Sequence, residues 1–267
     1  MGIGDEIMAA AEARRAYAGE PTLIVDKNGA PRWHSVWRGV PHVLPPGRAT
    51  AGSPRLLNAA GARPYIDYAA MKRRDGPRYD PRNLDQSWIW KQGWRPAKGH
   101  IHLSDEERER ARVRLEPHRH AGRSIYILEP SLKPKASPNK QWGHDRWQAL
   151  VQHLYGAVLL QVGAECAVKL QGTQFIGTPD FHAAAALLEA SDGYIGPDGA
   201  LHHAAAALGV PAVVIWGGYS SPDNLGYDGH KNLTGGVTAA CGSRRHCNHC
   251  AAAMTAITPD QVAAAIL

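Results

Sequence analysis

Short apolar runs alternate with amphipathic segments along the chain, most regularly after residue 122. The apolar runs are typical of buried strands, and the segments between them carry apolar residues at helical spacing. Strands are predicted at 124–128, 158–162, 174–176, 193–196 and 211–216, and helices at 146–155, 180–190 and 201–208. Strands that alternate with helices favour a parallel sheet covered by helices on both faces.

The first half of the chain carries a weaker version of this pattern. A turn at Gly2–Asp5 precedes a helix that lies within the first 20 residues. Thr22–Val25 is an apolar run that predicts a buried parallel strand, and 65–68 is a weaker strand candidate. The Pro- and Gly-rich segment 41–54 between them predicts loops.

Two local signals divide the chain. Ser104 and Glu107 form a capping box, which predicts a helix that runs to about Leu115. Gly122 and Arg123 then have the character of a linker, so we expect one unit at 1–122 and a second at 123–267. The predicted fold class is α/β, with two Rossmann-like halves that face a cleft and an N-terminal half that is shortened.

The composition is that of an ordinary globular protein, with 44% apolar and 20% charged residues. Four cysteines in 267 residues exclude a disulfide scaffold. No apolar run reaches the roughly 20 residues that a membrane-spanning helix needs. Acidic residues at positions 5 and 6 do not suit a signal peptide, so we expect a cytoplasmic protein. The net charge of +6 favours a polyanionic partner such as a nucleotide, a nucleic acid or an anionic lipid.

One segment predicts a phosphate site. The strand at 193–196 is followed by Asp198-Gly199-Ala200, where a helix begins. Ligands of open α/β sheets bind at the carboxyl ends of the strands, and a helix N-terminus there presents free N–H groups to a diphosphate. His203 in the first turn would donate to the same phosphate, and the next strand ends at Gly217-Gly218 beside this edge. The alternative is a plain β–α turn with a capping aspartate.

Lys140 lies in a polar loop at the same predicted sheet edge. A lysine there would neutralise a leaving diphosphate, although a solvated loop lysine is the simpler interpretation.

Several segments, in this order and spacing, resemble the C-terminal half of the heptosyltransferases, glycosyltransferase family 9. They are Lys140-Gln141-Trp142 with Arg146-Trp147, Gly163-Ala164-Glu165, Asp198–His203 with Gly209-x-Pro211, and Trp216-Gly217-Gly218. Gly2–Ile7 is similar to the family's N-terminal glycine-aspartate turn. The resemblance covers 124–267 and about the first 25 residues, and it leaves 26–123 unmatched.

This resemblance implies a two-domain GT-B fold. The C-terminal half would hold the nucleotide sugar, and the N-terminal half would bind the acceptor molecule. It implies inverting transfer that requires no metal or other cofactor for catalysis. Asp5 would be the general base on the acceptor hydroxyl, and Lys140 would stabilise the leaving diphosphate. A helix N-cap is the simpler interpretation of Asp5, and it is compatible with the catalytic one.

The resemblance also implies which residues bind the nucleotide sugar. Glu165 would meet the ribose or the base. The other residues implied are Asp198, Gly199, Ala200, His203, Gly217 and Gly218. Ala200 departs from the family pattern, which usually has a glycine there, and this leaves the sugar open. The strand expected before the glycine-aspartate turn is not in the sequence.

Basic and aromatic residues interleave at 72–100, in the half that would bind the acceptor. Arg82, Trp88, Trp90 and Trp94 suit a nucleic-acid surface, with cations for phosphates and aromatic faces for an extruded base. The preferred acceptor is therefore a hydroxymethylated pyrimidine such as 5-hydroxymethylcytosine in DNA, as in phage DNA hypermodification. The alternative acceptors are the lipopolysaccharide core and another glycan. A purely structural interpretation also stays open, in which the tryptophans belong to the hydrophobic core of the protein and the arginines form its solvated rim.

The C-terminal cysteines form a possible metal site. Cys241, Cys247 and Cys250 have a spacing that suits a structural zinc, with His246 or His249 as the fourth ligand. Cys166 is predicted to be a buried core thiol instead. A non-catalytic module that binds nucleotides stays open as a different class of function.

Overall fold

The structure, a computed structural model, describes residues 2–120, 122–130, 137–165, 168–237 and 239–266. Its helices are α1 (Ile3–Ala16), α2 (Tyr68–Asp75), α3 (Asp105–Arg119), α4 (His144–His153), α5 (Phe181–Glu189), α6 (Ala200–Leu208), α7 (Pro222–Leu225), α8 (Asn248–Ala256) and α9 (Pro259–Ala264). Its strands are β1 (Leu23–Val25), β2 (Arg55–Leu57), β3 (Ile125–Leu128), β4 (Val158–Gly163), β5 (Gln174–Gly177), β6 (Gly193–Pro197), β7 (Ala212–Ile215) and β8 (Lys231–Leu233). Cys166 lies outside the described residues.

Six strands form one parallel sheet in the order β5-β4-β3-β6-β7-β8. The predicted strands of the second half are confirmed. The central strands β6 and β7 are apolar runs buried on both faces of the sheet, whereas in the edge strand β5 only Ile176 is buried. The edge strand β8 was not predicted, since it is short and begins with an exposed lysine. The strand order reverses between β3 and β6, and ligands of such sheets bind at this switch point.

Local signals set the helix ends. Ser104 caps α3, with reciprocal hydrogen bonds between Ser104 and Glu107 as predicted. The helix continues to Arg119, beyond the predicted end near Leu115. Asp180 caps α5 through a hydrogen bond from the Ala183 N–H.

The first half contributes a two-stranded parallel sheet, in which β1 pairs with β2. The strand predicted at 65–68 is wrong. Asp67 accepts a hydrogen bond from the Ala70 N–H at 2.8 Å, and this cap starts α2 one residue later. Ile66 makes an isolated bridge with Trp90 instead of a strand.

The two halves meet where α1 packs against α6. A Cβ atom added to Gly4 would stand 2.7 Å from Cδ2 of His203 and 3.6 Å from Cα of Ala200. Gly4 therefore allows the first turn of α1 to touch the first turn of α6. The larger hydrophobic core is continuous across the contact, with Ile7 and Trp94 from the first half and Leu201 from the second. The predicted α/β class, with facing halves and a shortened first half, is confirmed. None of the helices described is long and apolar enough to cross a membrane.

We expect Gly4→Ala to lower the free energy of unfolding by about 1–3 kcal/mol, because the buried His203 ring cannot give way to a new methyl group. Urea unfolding followed by tryptophan fluorescence measures the effect. Gly47→Ala is the matched control, since a Cβ atom there would meet nothing within 4 Å. Equal stability of the two variants would contradict the close contact.

Candidate active site

Asp198 stands at the centre of the site, between the end of β6 and the start of α6. Its side chain is 5% exposed. Its Oδ2 accepts hydrogen bonds from Lys140 Nζ at 2.5 Å and from Ser220 Oγ at 3.2 Å. Burial alone would raise the pKa of Asp198, but the charge of Lys140 and the ring nitrogens of His202 and His203, 3.8 and 3.5 Å from Oδ1, hold it well below its usual value. Asp198 is therefore ionised, and it fixes the position of Lys140.

Lys140 lies at the end of the 3₁₀ turn Pro138–Lys140, with its Nζ 5.3 Å from the centre of the Tyr219 ring. Its ammonium also donates to the Asp198 carbonyl at 3.1 Å. Burial would lower the pKa of Lys140, but Asp198 more than compensates and the pKa is raised. Lys140 thus stays charged at neutral pH. An ammonium has three donors, and these contacts use two of them.

Two adjacent histidines pack behind Asp198. His203 is 3% exposed, with Nδ1 3.0 Å from the Tyr227 hydroxyl and Nε2 3.5 Å from Asp198 Oδ1. Both ring nitrogens of His203 therefore face the protein, and the donation to a phosphate predicted for it finds no support in this arrangement. His202 is fully buried, and burial lowers its pKa to about 3, so its ring is neutral.

Asp5 lies in the first turn of α1, on the opposite side of the cleft. Its Oδ2 accepts the Gly2 N–H at 2.8 Å. Gly2 is therefore the N-cap of α1, and Asp5 bonds back to it from the third position of the helix, so the N-cap interpretation of Asp5 is wrong. Its Oδ1 accepts the Tyr65 hydroxyl proton and lies 3.4 Å from Arg63 Nε. Gly4, the residue before Asp5, packs against His203, and His203 contacts Asp198. The turn that carries Asp5 therefore lies beside the Lys140–Asp198 pair.

The glycines predicted to bind the nucleotide sugar have distinct surroundings. Gly199 caps α6, as predicted for a phosphate site. Gly217 allows Asn139 to approach, since a Cβ atom there would stand 2.8 Å from the Asn139 carbonyl oxygen. Gly218 has φ +41° and would place a Cβ atom 2.7 Å from the His249 ring. These contacts give Gly217 and Gly218 a packing role beside the site.

The remaining nucleotide-sugar residues lie at the same edge of the sheet. Ala200 is the first residue of α6 and faces Gly4. Glu165 is exposed on the loop that follows β4.

Sequence reasoning missed Glu129, which follows β3 directly. Its carboxyl group receives a hydrogen bond from Tyr194, and burial raises its pKa to about 7. Its position at the end of a predicted strand was the available signal. Tyr65, Arg63 and Tyr227 were also missed, because they come from segments with no recognisable motif.

The predicted aromatic surface is wrong for two of its residues. Trp90 and Trp94 are 9% and 8% exposed, and Trp90 donates its ring N–H to the Tyr219 carbonyl. Trp88 packs beside the guanidinium groups of Arg63 and Arg244, at 5.6 and 4.5 Å from the ring centre. Because their rings are buried, Trp90 and Trp94 cannot stack on an extruded base. Arg82 is exposed and pairs with the neighbouring Asp80.

A small pocket of about 70 Å³ adjoins Asp5 in the first half. Its walls come from α1, β2 and the segment that precedes α2. Its lining includes Met8, Glu12, Asn58, Arg63 and Tyr65. Asp5 is one of the residues that line this pocket.

The predicted cysteines come together near the end of the chain. Cys241, Cys247, His249 and Cys250 place one ligand atom each within 4.8 Å of one another. The Cys241 sulfur lies 3.8 Å from that of Cys247 and 3.3 Å from that of Cys250. Tetrahedral zinc with bonds of about 2.3 Å needs sulfurs about 3.8 Å apart, so the group fits a metal. His249 is the imidazole of this group, and His246 is outside it.

The loop that carries these cysteines also holds Lys140 in place. The Asn139 amide donates to the carbonyls of Ser243 and Arg245 at 2.8 and 2.6 Å. The Asn139 side-chain oxygen accepts the Cys247 N–H at 3.1 Å. Because Asn139 precedes Lys140 in the same turn, the loop fixes the position of the Lys140 backbone.

Residues 94–256 match the model of glycosyltransferase family 9 (heptosyltransferase). The chain belongs to this family. No curated protein sequence matches it.

Solved structures of glycosyltransferases are similar to this chain. The iron-containing dodecameric glycosyltransferase TibC from enterotoxigenic E. coli H10407 is 14% identical with a TM-score of 0.58, and the match covers 100% of this chain and 73% of TibC. TibC in complex with ADP-D-beta-D-heptose gives 13% identity, a TM-score of 0.50, and 93% and 76% coverage. E. coli ADP-heptose LPS heptosyltransferase II is 19% identical with a TM-score of 0.46. That match covers 71% of this chain, which spans only 56% of heptosyltransferase II. The expected GT-B fold class is confirmed.

We expect the purified protein to carry about one equivalent of zinc per chain, measured by inductively coupled plasma mass spectrometry. His249→Ala should lower the metal content and the melting temperature, because it removes one of the four ligands. His246→Ala is the control and should leave both unchanged. Wild-type protein free of metal would contradict this expectation.

Proposed function

We propose that this protein is an inverting glycosyltransferase that moves a sugar from a nucleotide sugar to a hydroxyl group. One observation supports the proposal: the turn that carries Asp5 packs through Gly4 on His203, next to the N-terminus of α6. His203 in turn contacts Asp198, which holds Lys140. A base on one side and fixed positive charge on the other are what a displacement at an anomeric carbon needs. Membership of family 9 supports this assignment.

In this mechanism Asp5 accepts the proton of the acceptor hydroxyl as its oxygen attacks the anomeric carbon. The bond from that carbon to the diphosphate breaks, and the diphosphate leaves with the electron pair. Lys140 and the free N–H groups of α6 receive its charge. Attack from the side opposite the leaving group inverts the anomeric configuration. Asp198 keeps Lys140 in position throughout, and His203 with Tyr227 keeps Asp198 in position.

The donor proposed is a nucleoside diphosphate heptose or a related sugar. The structure of TibC with ADP-D-beta-D-heptose supports this choice, as does the heptosyltransferase family. Residues 123–267 would hold the donor, and residues 1–122 would hold the acceptor. Glu165, at the edge of the sheet, would meet the ribose or the base.

The proposed acceptor is a glycan hydroxyl, such as one in a lipopolysaccharide core. The small pocket beside Asp5 is open to solvent and would receive the acceptor hydroxyl. A base in DNA is less well supported, because Trp90 and Trp94 are buried and cannot stack on it. The cysteine group is proposed to hold a structural zinc or iron ion, since it lies behind Asn139 and not in the cleft.

A transfer assay by mass spectrometry tests the proposal. The purified protein is incubated with a panel of nucleotide sugars that includes ADP-heptose, and with core oligosaccharides or DNA that contains 5-hydroxymethylcytosine. We expect a mass gain of one sugar on an oligosaccharide. Hydrolysis of the donor without transfer would keep the enzyme class and change the acceptor. Nucleotide-sugar binding without any turnover would favour a non-catalytic binding module.

We expect Asp5→Asn to reduce transfer by about 10²–10⁴-fold, because the amide cannot accept the hydroxyl proton. Asparagine can still accept the Gly2 N–H, so the cap on α1 is kept. The donor affinity, measured by calorimetry, should stay within a few fold of wild type. Asp105→Asn, at an exposed carboxylate, is the control. Full transfer by Asp5→Asn would reduce Asp5 to a helix cap.

We expect Lys140→Gln to slow turnover by about 10²–10³-fold through loss of fixed charge at the leaving group. Glutamine still donates a hydrogen bond to Asp198, which limits the cost of an unpaired buried carboxylate. Steady-state kinetics and a melting curve separate the two effects. A folded variant with an unchanged kcat would remove Lys140 from the mechanism.

A further inference from the structure

Glu129 lies where the proposed donor diphosphate would bind, yet the mechanism above does not use it. It follows β3 at the switch point, and its N–H donates to the Ile195 carbonyl of β6 at 2.9 Å. A Cβ atom on Gly199 would stand 3.2 Å from its Oε2. The carboxyl group therefore lies against the N-cap of α6, at a place where a negative charge would oppose a diphosphate.

The hydrogen bonds around Tyr194 depend on the proton of Glu129. The Tyr194 hydroxyl contacts both Glu129 Oε2 and, at 3.1 Å, the Pro197 carbonyl. A hydroxyl has one proton, so it cannot donate to both acceptors. If Glu129 is protonated, it donates to the Tyr194 oxygen, and Tyr194 donates to Pro197. The neutral acid thus makes both contacts, whereas the carboxylate keeps only the one with Tyr194, which its charge strengthens.

The polar and charged groups near Glu129 shift its pKa in opposite directions. Among the described residues, the groups that act on it are Tyr194 from β6, Asp198 from the β6–α6 junction and Lys140 from the 3₁₀ turn. Burial raises the pKa of Glu129 to about 7, Tyr194 and Lys140 lower it, and Asp198 raises it. Both protonation states are therefore accessible to the free protein near neutral pH.

We propose that Glu129 is the proton-coupled residue of the donor subsite, neutral while a nucleotide sugar is bound and ionised in the free protein under alkaline conditions. The inference rests on the proposed function. Binding then takes up one proton from solvent, and the proton returns to solvent when the nucleotide leaves. The cause is electrostatic, because the diphosphate brings two negative charges to a site that cannot also hold a carboxylate.

The test is nucleotide-sugar affinity as a function of pH, by titration calorimetry without acceptor. The probes are ADP-glucose, GDP-mannose, UDP-glucose and ADP-heptose. Intact nucleotide sugars are used because the terminal phosphate of a free nucleoside diphosphate titrates near pH 6, as other phosphate monoesters do. For a probe that binds, we expect the dissociation constant to be flat below pH 7 and to rise about tenfold per pH unit above it. At pH 8, buffers of different ionisation enthalpy should report uptake of close to one proton.

Three variants make the test specific to Glu129. Glu129→Gln mimics the neutral acid, and we expect pH-independent affinity close to that of wild type at pH 6. Tyr194→Phe removes a hydrogen bond that favours the carboxylate, so the onset of weakening should move to higher pH. Glu20→Gln, at an exposed carboxylate, should behave as wild type.

Each outcome has a defined meaning. Binding by wild type with no proton uptake, or with the same pH slope in Glu129→Gln, would overturn the role of Glu129. If Glu129→Gln does not fold, the Tyr194→Phe variant decides. An affinity that begins to weaken at the same pH in Tyr194→Phe as in wild type would overturn the role of Glu129 as well. Failure of wild type to bind any of the four nucleotide sugars would contradict the proposed function itself, and the inference with it.

Discussion

The site depends on one buried carboxylate, that of Asp198. An ionised group 5% exposed is stable only when it is paired and hydrogen-bonded, and Lys140 and Ser220 provide those contacts. These partners come from the 3₁₀ turn before α4 and the loop after β7. The need to satisfy one charge therefore brings together three loops at the carboxyl edge of the sheet and places an ammonium group at the N-terminus of α6.

The Asp5 side of the site is linked to Asp198 through Gly4. Gly4 lets the first turn of α1 lie against His203, which contacts Asp198 in turn. Asp5 follows Gly4 and is oriented by Tyr65 and Arg63. The backbone of α1 and the side chain of α6 are therefore in direct contact where the two halves meet. The Asp5 carboxylate and the Lys140 ammonium face the cleft from opposite sides. Family 9 membership fits this geometry, although the chain spans only 56% of heptosyltransferase II.

The sequence predicted the regular parts of the molecule. Buried strands such as β6 and β7 are continuous apolar runs, and the capping box at Ser104 marks the start of α3. The strand predicted at 65–68 failed because the Asp67 cap outweighed the aromatic content of that segment. Trp90 and Trp94 were misread because interleaved charge and aromatic residues do not reveal which side faces the core. Glu129 was missed because its environment is made by Tyr194 and Gly199, which are distant in sequence.

The most direct test of this account is a crystal structure of Asp5→Asn with a nucleotide sugar bound. We predict that the diphosphate lies at the N-terminus of α6, within hydrogen-bond distance of Lys140 Nζ and the backbone of Ala200. The anomeric carbon should face residue 5, with room for an acceptor hydroxyl between them. A diphosphate bound elsewhere on the sheet, or an anomeric carbon turned away from residue 5, would contradict the account.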